Sequence, residues 1–114
     1  MSGIEHFDRS GAPITLARWT ELSEDQSYRY VERTWVHGFE HEVVTLWNGF
    51  DPYRLNFTDG PPLIFIVSEL RTNGAKVDVH EHHLVATEAE ASAAHHALVK
   101  HLRLLRQRVA GAVH

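Results

Sequence analysis

The chain has 114 residues and a net charge of −4, with 43% hydrophobic and 23% charged residues, which is typical of one globular domain spanning residues 1–114. It has no cysteine, which excludes disulfides, zinc–thiolate sites and thiol catalysis. No apolar run approaches the roughly 18 residues of a membrane-spanning helix, and residues 1–10 lack the apolar core of a signal peptide, so we expect a cytoplasmic protein.

The first half of the chain predicts a short helix and a β-hairpin. Residues 14–22 carry apolar side chains at helical spacing behind Thr15, a candidate N-cap. Residues 27–36 and 41–48 are rich in β-branched and aromatic residues and flank a turn. This composition predicts two antiparallel strands.

The second half predicts another hairpin. Residues 62–70 are apolar on both faces, as expected of a central strand, and an Asn-Gly turn joins them to a return strand over residues 76–86. Side chains alternate along a strand, so two opposite sets are expected there. Val77, Val79, His83 and Val85 form one set, and Asp78, His80, His82 and Leu84 form the other.

A long amphipathic helix is predicted at the end of the chain. Thr87 and Glu90 have the spacing of a capping box, which starts a helix at Glu88 that ends near Gly111. The predicted apolar stripe consists of Ala91, Ala94, Leu98, Leu102, Leu105 and Val109. We therefore predict an α+β fold, in which a four-stranded antiparallel meander carries the long C-terminal helix on one face, after a short N-terminal helix.

Ten histidines are the unusual feature of the composition. His80 and His82 are predicted to share a strand face, and His95 or His96 of the last helix could add a third ligand for zinc or another divalent metal. No His-Glu-x-x-His motif accompanies them. The favoured interpretation is a solvated polar strand face with hydrogen-bonded histidines near the core and no cofactor, and a pH-sensing surface is a further alternative.

Two other groups of residues suggest partner binding. The long connection carries Phe50, Asp51, Tyr53 and Phe57, and exposed aromatic residues are typical of binding hot spots, although the loop could also fold onto its own aromatics. Residues 1–99 hold 7 basic and 15 acidic side chains, whereas residues 100–114 hold four basic and no acidic ones. This basic patch consists of Lys100, Arg103, Arg106 and Arg108. The patch either stabilises the helix by its interaction with the negative end of the helix dipole, or it binds an acidic partner or a phosphate.

The chain resembles a family of small uncharacterised proteins encoded by actinobacteria and their phages. The similar stretches include DRSGAPIT (8–15), VVTLWNGFD (43–51), GPPLIF (60–65) and TEAEA (87–91), followed by His95. The usual pattern continues with Glu-Thr-Met where this chain has Ile66-Val67-Ser68. The resemblance implies a mobile-element or phage-related origin and implies no catalytic residue.

Together these features predict a non-enzymatic, phage-related accessory protein that binds a host or phage protein, such as a defence component. The acidic body could imitate nucleic acid to a basic partner, while the net negative charge argues against nucleic acid or an anionic membrane as the partner. The first alternative is a small histidine-rich metal-binding protein or metal-dependent enzyme. The second is a homodimer formed through an open sheet edge.

Overall fold

A computed structural model describes residues 5–36, 40–52, 60–73 and 75–112 of the protein, without the side chains at positions 73, 81, 82 and 106–112. The fold is α+β, as predicted. The described elements are β1 (His6–Phe7), β2 (Pro13–Ile14), α1 (Leu16–Glu24), α2 (Gln26–Arg29), β3 (Tyr30–Trp35), β4 (His41–Trp47), β5 (Phe65–Asn73), β6 (Lys76–Val85) and α3 (Glu88–Ala112).

The strands β3, β4, β5 and β6 form one antiparallel sheet in chain order, which is the predicted meander. The number of strands differs from the prediction, because β1 and β2 pair as a separate two-stranded ribbon. A strand beginning at residue 27 is also wrong. The Asp25 carboxylate accepts hydrogen bonds from the backbone N–H groups of Ser27 (3.0 Å) and Tyr28 (3.4 Å), and this cap starts the single turn of α2.

The core lies between α3 and one face of the sheet, which we call the helix face. It carries Val43 and Trp47 from β4 and Phe65 and Val67 from β5, all fully buried. The first helices pack on the same face, since Leu22 of α1 belongs to this core and the Tyr28 ring stacks edge-on against Trp47 at 4.9 Å. All three helices therefore cover one side of the sheet.

The predicted alternation along β6 is wrong, because the strand contains a β-bulge at position 82. Val85 and His83 lie opposite Phe65 and Val67, but beyond the bulge Glu81 lies opposite Ser68 and His80 opposite Glu69. Residues 65, 67 and 69 are two positions apart in β5 and so lie on the helix face. Their partners in β6, which are Val85, His83 and His80, lie on the same face. Val77 and Val79 lie on the opposite face, 55% and 66% exposed.

The start of α3 confirms the N-cap half of the predicted capping box, the hydrogen bond from the Glu90 N–H to the Thr87 hydroxyl. Thr87 Oγ1 accepts a hydrogen bond from the Glu90 backbone N–H at 3.1 Å and donates one to the Glu90 carboxylate at 3.0 Å. Arg9 forms two parallel hydrogen bonds to the Glu88 carboxylate, at 2.8 and 2.9 Å, which ties the first turn to the N-terminal segment.

The helix α3 extends to Ala112, close to the predicted end. The predicted stripe is buried at Ala91 and Leu102, but Leu105 is 42% exposed. Among the helices that the structure describes, none has the length and apolarity needed to cross a membrane.

Candidate functional site

A buried histidine joins α3 to two strands. His95 has no exposed surface, and its ring hydrogen-bonds to two hydroxyl groups, from Nε2 to Thr34 Oγ1 at 2.8 Å and from Nδ1 to Thr45 Oγ1 at 2.7 Å. A neutral imidazole donates from one ring nitrogen and accepts at the other, and a hydroxyl satisfies either role. The two threonines therefore complete the hydrogen bonding of a neutral His95.

The polar groups next to the His95 ring, Glu32 and His96, are more exposed to solvent than His95 itself. Burial in the core lowers the pKa of His95, the Glu32 carboxylate opposes that change, and the neighbouring His96 adds to it. Glu32 Oε2 lies 3.7 Å from His95 Nε2 but only 2.7 Å from His96 Nε2. The carboxylate therefore makes its hydrogen bond to the exposed His96, and His95 stays neutral at pH 7.

A cleft of about 520 Å³ opens between β3 and α3 beside these groups. The strand contributes Glu32 and Thr34 to its wall. The helix contributes His96, Val99, Lys100, Arg103 and Leu104. These helical residues recur at steps of three and four, so they form one stripe along α3, next to the stripe that faces the core. The cleft thus runs along the helix, with β3 as its floor.

The cleft combines positive charge with apolar surface, and the Glu32 carboxylate in its wall is hydrogen-bonded to His96. Lys100 and Arg103 form no ion pair with any residue that the structure describes, so both cations are available to a ligand. Leu104 is 47% exposed beside them, while Val99 is buried at the base. An occupant with acidic groups and some apolar surface fits this lining best.

The floor of the cleft is an edge of the sheet. One side of β3 pairs with β4, and no strand within the described ranges pairs with the other side. The Val36 N–H donates to the His41 carbonyl at 2.8 Å, which makes this a hydrogen-bonded pair. Hydrogen-bonded and non-hydrogen-bonded pairs alternate along an antiparallel ladder. The backbone N–H and C=O of Thr34 therefore also face β4, and those of Arg33 point away from β4.

Among the histidines predicted as an alternative metal site, those with described side chains do not come together. His95 bonds to β3 and β4, whereas His80 lies on β6, with β5 between β4 and β6. Both ring nitrogens of His95 are already hydrogen-bonded, and the His82 side chain lies outside the described residues. Among the described side chains, no group of three histidines or carboxylates is arranged to hold a metal.

The described residues of the predicted binding loop make contacts within the protein. Phe50 packs against Trp19, with ring centroids 5.8 Å apart, and Asp51 Oδ2 accepts a hydrogen bond from the Leu63 N–H at 3.0 Å. Tyr53 and Phe57 lie outside the described residues, so a role for the loop in binding stays a prediction. The basic patch is divided in the same way. Lys100 and Arg103 line the cleft, whereas the side chains of Arg106 and Arg108 lie outside the description.

Sequence reasoning missed the part of the site contributed by the strands. Thr34, Thr45 and Glu32 are ordinary strand residues in the sequence, and only the pairing of β3 with β4 brings them under α3. A signal for His95 was present, because Ala91, His95 and Val99 are spaced four residues apart and so share the buried side of the helix.

Comparisons with protein-family models, with curated proteins and with solved structures found no match to the chain. The suggested kinship with actinobacterial and phage proteins therefore stays a prediction.

Proposed function

We propose that the protein is a non-enzymatic interaction module that binds an extended acidic segment of a partner protein in the cleft between β3 and α3. The segment adds to the sheet as a strand beside β3. The observation that carries this proposal is the open edge of β3 beside a cleft whose two cations, Lys100 and Arg103, are unpaired within the described structure.

Strand addition supplies the backbone part of the binding energy. The N–H and C=O of Arg33 point out of the sheet, and an extended segment running beside β3 satisfies both. Side chains on an added strand alternate between the two faces of the sheet. Every second side chain of the bound segment therefore enters the cleft below α3.

Charge selects the segment. Acidic side chains on the helix face of the added strand meet Lys100 and Arg103, while the methylene groups of the same side chains lie against Val99 and Leu104. Electrostatic complementarity of this kind contributes more to specificity than to affinity. Lys100 and Arg103 would repel a basic segment.

The buried histidine network keeps the cleft in shape. The hydrogen bonds from His95 to Thr34 and Thr45 fix α3 at one distance from the strand that forms the floor. A preformed groove loses little conformational entropy when a ligand binds. His95 is therefore a positioning residue in this proposal, with no contact to the bound segment.

The test uses a fluorescently labelled peptide, acetyl-Glu-Val-Glu-Thr-Glu-Val-amide, in anisotropy titrations against the full chain. Three comparison peptides carry Lys in place of Glu, a central Pro, or N-methyl groups on the amides of one edge. We expect saturable binding of the first peptide and none of the others, because they lose charge complementarity or strand pairing. Equal binding of the lysine peptide would contradict the proposal.

Two variants of equal net charge locate the site. Lys100→Gln with Arg103→Gln should weaken peptide binding about fivefold, as expected for two exposed charge pairs. Arg18→Gln with Lys76→Gln removes the same charge outside the cleft and should leave the affinity unchanged. Equal weakening by both pairs would show a general charge effect and would argue against the cleft.

A second candidate function is a homodimer through β6, the other edge of the sheet. Val77 and Val79 are 55% and 66% exposed on this strand. In an antiparallel pair of two β6 strands with Val79 opposite Val79, Asp78 of one copy lies opposite His80 of the other, so a carboxylate meets an imidazole across the interface. Light scattering distinguishes the candidates, because a dimer has twice the 13.0 kDa mass of the chain.

A further inference from the structure

A second cavity, of about 350 Å³, lies where α1 and α2 meet the end of β4. Its lining consists of Trp19, Ser23, Arg29, Trp47, Asn48 and Phe50. None of these residues belongs to the cleft proposed above, and the volume is within the range of small-molecule pockets. The lining combines three large aromatic side chains with one guanidinium group.

The aromatic walls are fixed in place. Trp19 Nε1 donates a hydrogen bond to the Asn48 carbonyl at 2.8 Å, and Trp47 Nε1 donates one to the Phe7 carbonyl at 3.1 Å. Gly49 is pressed between the two indoles, since a Cβ there would lie 2.5 Å from Trp47 and 2.7 Å from Trp19. Phe50 meets Trp19 edge to face at 71°. The rings thus offer preformed apolar surfaces to a flat ligand.

Arg29 supplies a cation without a counter-charge. The arginines paired with a glutamate are Arg9, Arg18, Arg33 and Arg71. Arg29 is half-buried and forms no ion pair with any described residue. The Asn48 carboxamide beside it likewise has no hydrogen-bond partner in the described part of the chain. A partly desolvated guanidinium is costly unless it gains an anion, and its planar fork matches a carboxylate.

We propose that this cavity binds a planar aromatic carboxylate. The ring of the ligand lies against the cavity wall formed by Trp19 and Phe50, its carboxylate accepts two hydrogen bonds from Arg29, and the Asn48 amide, which also lines the cavity, donates a further one. Ser23 Oγ donates to the Thr20 carbonyl at 2.8 Å, so its oxygen keeps its lone pairs for a ligand donor. The inference is independent of the peptide cleft, because the two sites share no residue.

The experiment titrates the full chain with benzoate and with 1-naphthoate, monitored by tryptophan fluorescence and by calorimetry. Benzamide keeps the ring without the charge, and cyclohexanecarboxylate keeps the charge without the aromatic plane. We expect saturable binding of the two aromatic carboxylates below about 10 mM. Benzamide should bind at least about tenfold more weakly because it loses the charge-assisted hydrogen bond, and cyclohexanecarboxylate about two- to tenfold more weakly because it loses the stacking contact. Equal binding of benzamide would overturn the proposal.

Three variants place the site. Arg29→Gln should weaken benzoate binding at least tenfold, and Arg29→Lys should recover part of the loss because it keeps the charge but not the fork. Arg103→Gln is the matched control, since Arg103 is also unpaired within the described structure but lies in the other cleft. Unchanged binding by Arg29→Gln, or no saturable binding by the unmodified chain, would overturn the assignment.

Discussion

At the scale of single residues, His95 shows how a polar side chain is accommodated in the core of this protein. Its two ring nitrogens each have one hydroxyl partner, at 2.8 and 2.7 Å. A buried polar group is tolerated when its hydrogen bonds are complete, and it is costly when one is removed. The residue therefore depends on both threonines.

Thr45→Val tests that dependence, because valine has the same shape as threonine without the hydroxyl. The change leaves His95 Nδ1 without its partner in a fully buried position, and we expect a loss of about 1–3 kcal/mol in the free energy of unfolding. Urea unfolding measures it. Thr20→Val on the exposed side of α1 is the control, and it should change stability by less than about 0.5 kcal/mol. Similar losses in both variants would contradict this role of the hydroxyl.

The pH dependence of stability follows from the same residue. Because burial lowers the pKa of folded His95, the unfolded chain takes up a proton at a higher pH than the folded chain does. The contribution of His95 is thus fully present above the ordinary histidine pKa of about 6.5 and is lost as the pH falls below it, by at most about 1.4 kcal/mol per pH unit.

Urea unfolding of the unmodified chain and of His95→Gln between about pH 7 and pH 5.5 measures this contribution. The glutamine keeps a donor and an acceptor but does not titrate, so the variant should lose less stability on acidification. His101→Gln removes an exposed histidine of the same helix and should keep the original slope. Identical slopes for His95→Gln and the unmodified chain would show that His95 is not responsible.

At the scale of elements, local signals in the sequence predict where most elements lie. The N-caps at Thr87 and Thr15 each depend on a hydrogen bond from the residue three positions further on, and both are present in the structure. The bulge in β6 could not be predicted, because it depends on how the strand meets β5 and leaves no mark on the alternation of residues. One extra residue there reversed the expected face of Val77 and Val79.

The turn after β4 packs closely against two indole rings. Gly49 has φ +78° and lies against Trp19 and Trp47, where a Cβ would approach within 2.5–2.7 Å. We expect Gly49→Ala to reduce the free energy of unfolding by at least about 2 kcal/mol, through backbone strain and displacement of the indoles. Thermal and urea unfolding measure the change.

Gly11→Ala is the matched control for this prediction. Gly11 has a similar φ of +89°, but nothing lies within 4 Å of its virtual Cβ. The decrease in the free energy of unfolding of this variant should therefore come from backbone strain alone, at about 1 kcal/mol. Equal losses at both glycines would mean that the contact with Trp19 and Trp47 contributes nothing.

At the scale of the whole molecule, some features of the candidate site could be predicted from the sequence and others could not. Its cations, Lys100 and Arg103, were indicated by the excess of basic residues at the end of the chain, since charge is visible without a fold. The edge position of β3 follows from the predicted order of the meander, whereas the pairing of Glu32 with His96 joins residues 64 positions apart, which the sequence alone does not specify. The meander places that edge beside the basic side of α3, and the proposed function follows from this placement.

The most direct test of the account is amide hydrogen exchange, followed by NMR, with and without the peptide acetyl-Glu-Val-Glu-Thr-Glu-Val-amide. The Arg33 N–H points away from β4, and a strand added beside β3 would accept its hydrogen bond. The account predicts that saturating peptide slows exchange at Arg33 by at least about tenfold and leaves the exposed edge of β6 unchanged. Peptide binding without protection of Arg33, or no binding at all, would contradict strand addition at this cleft.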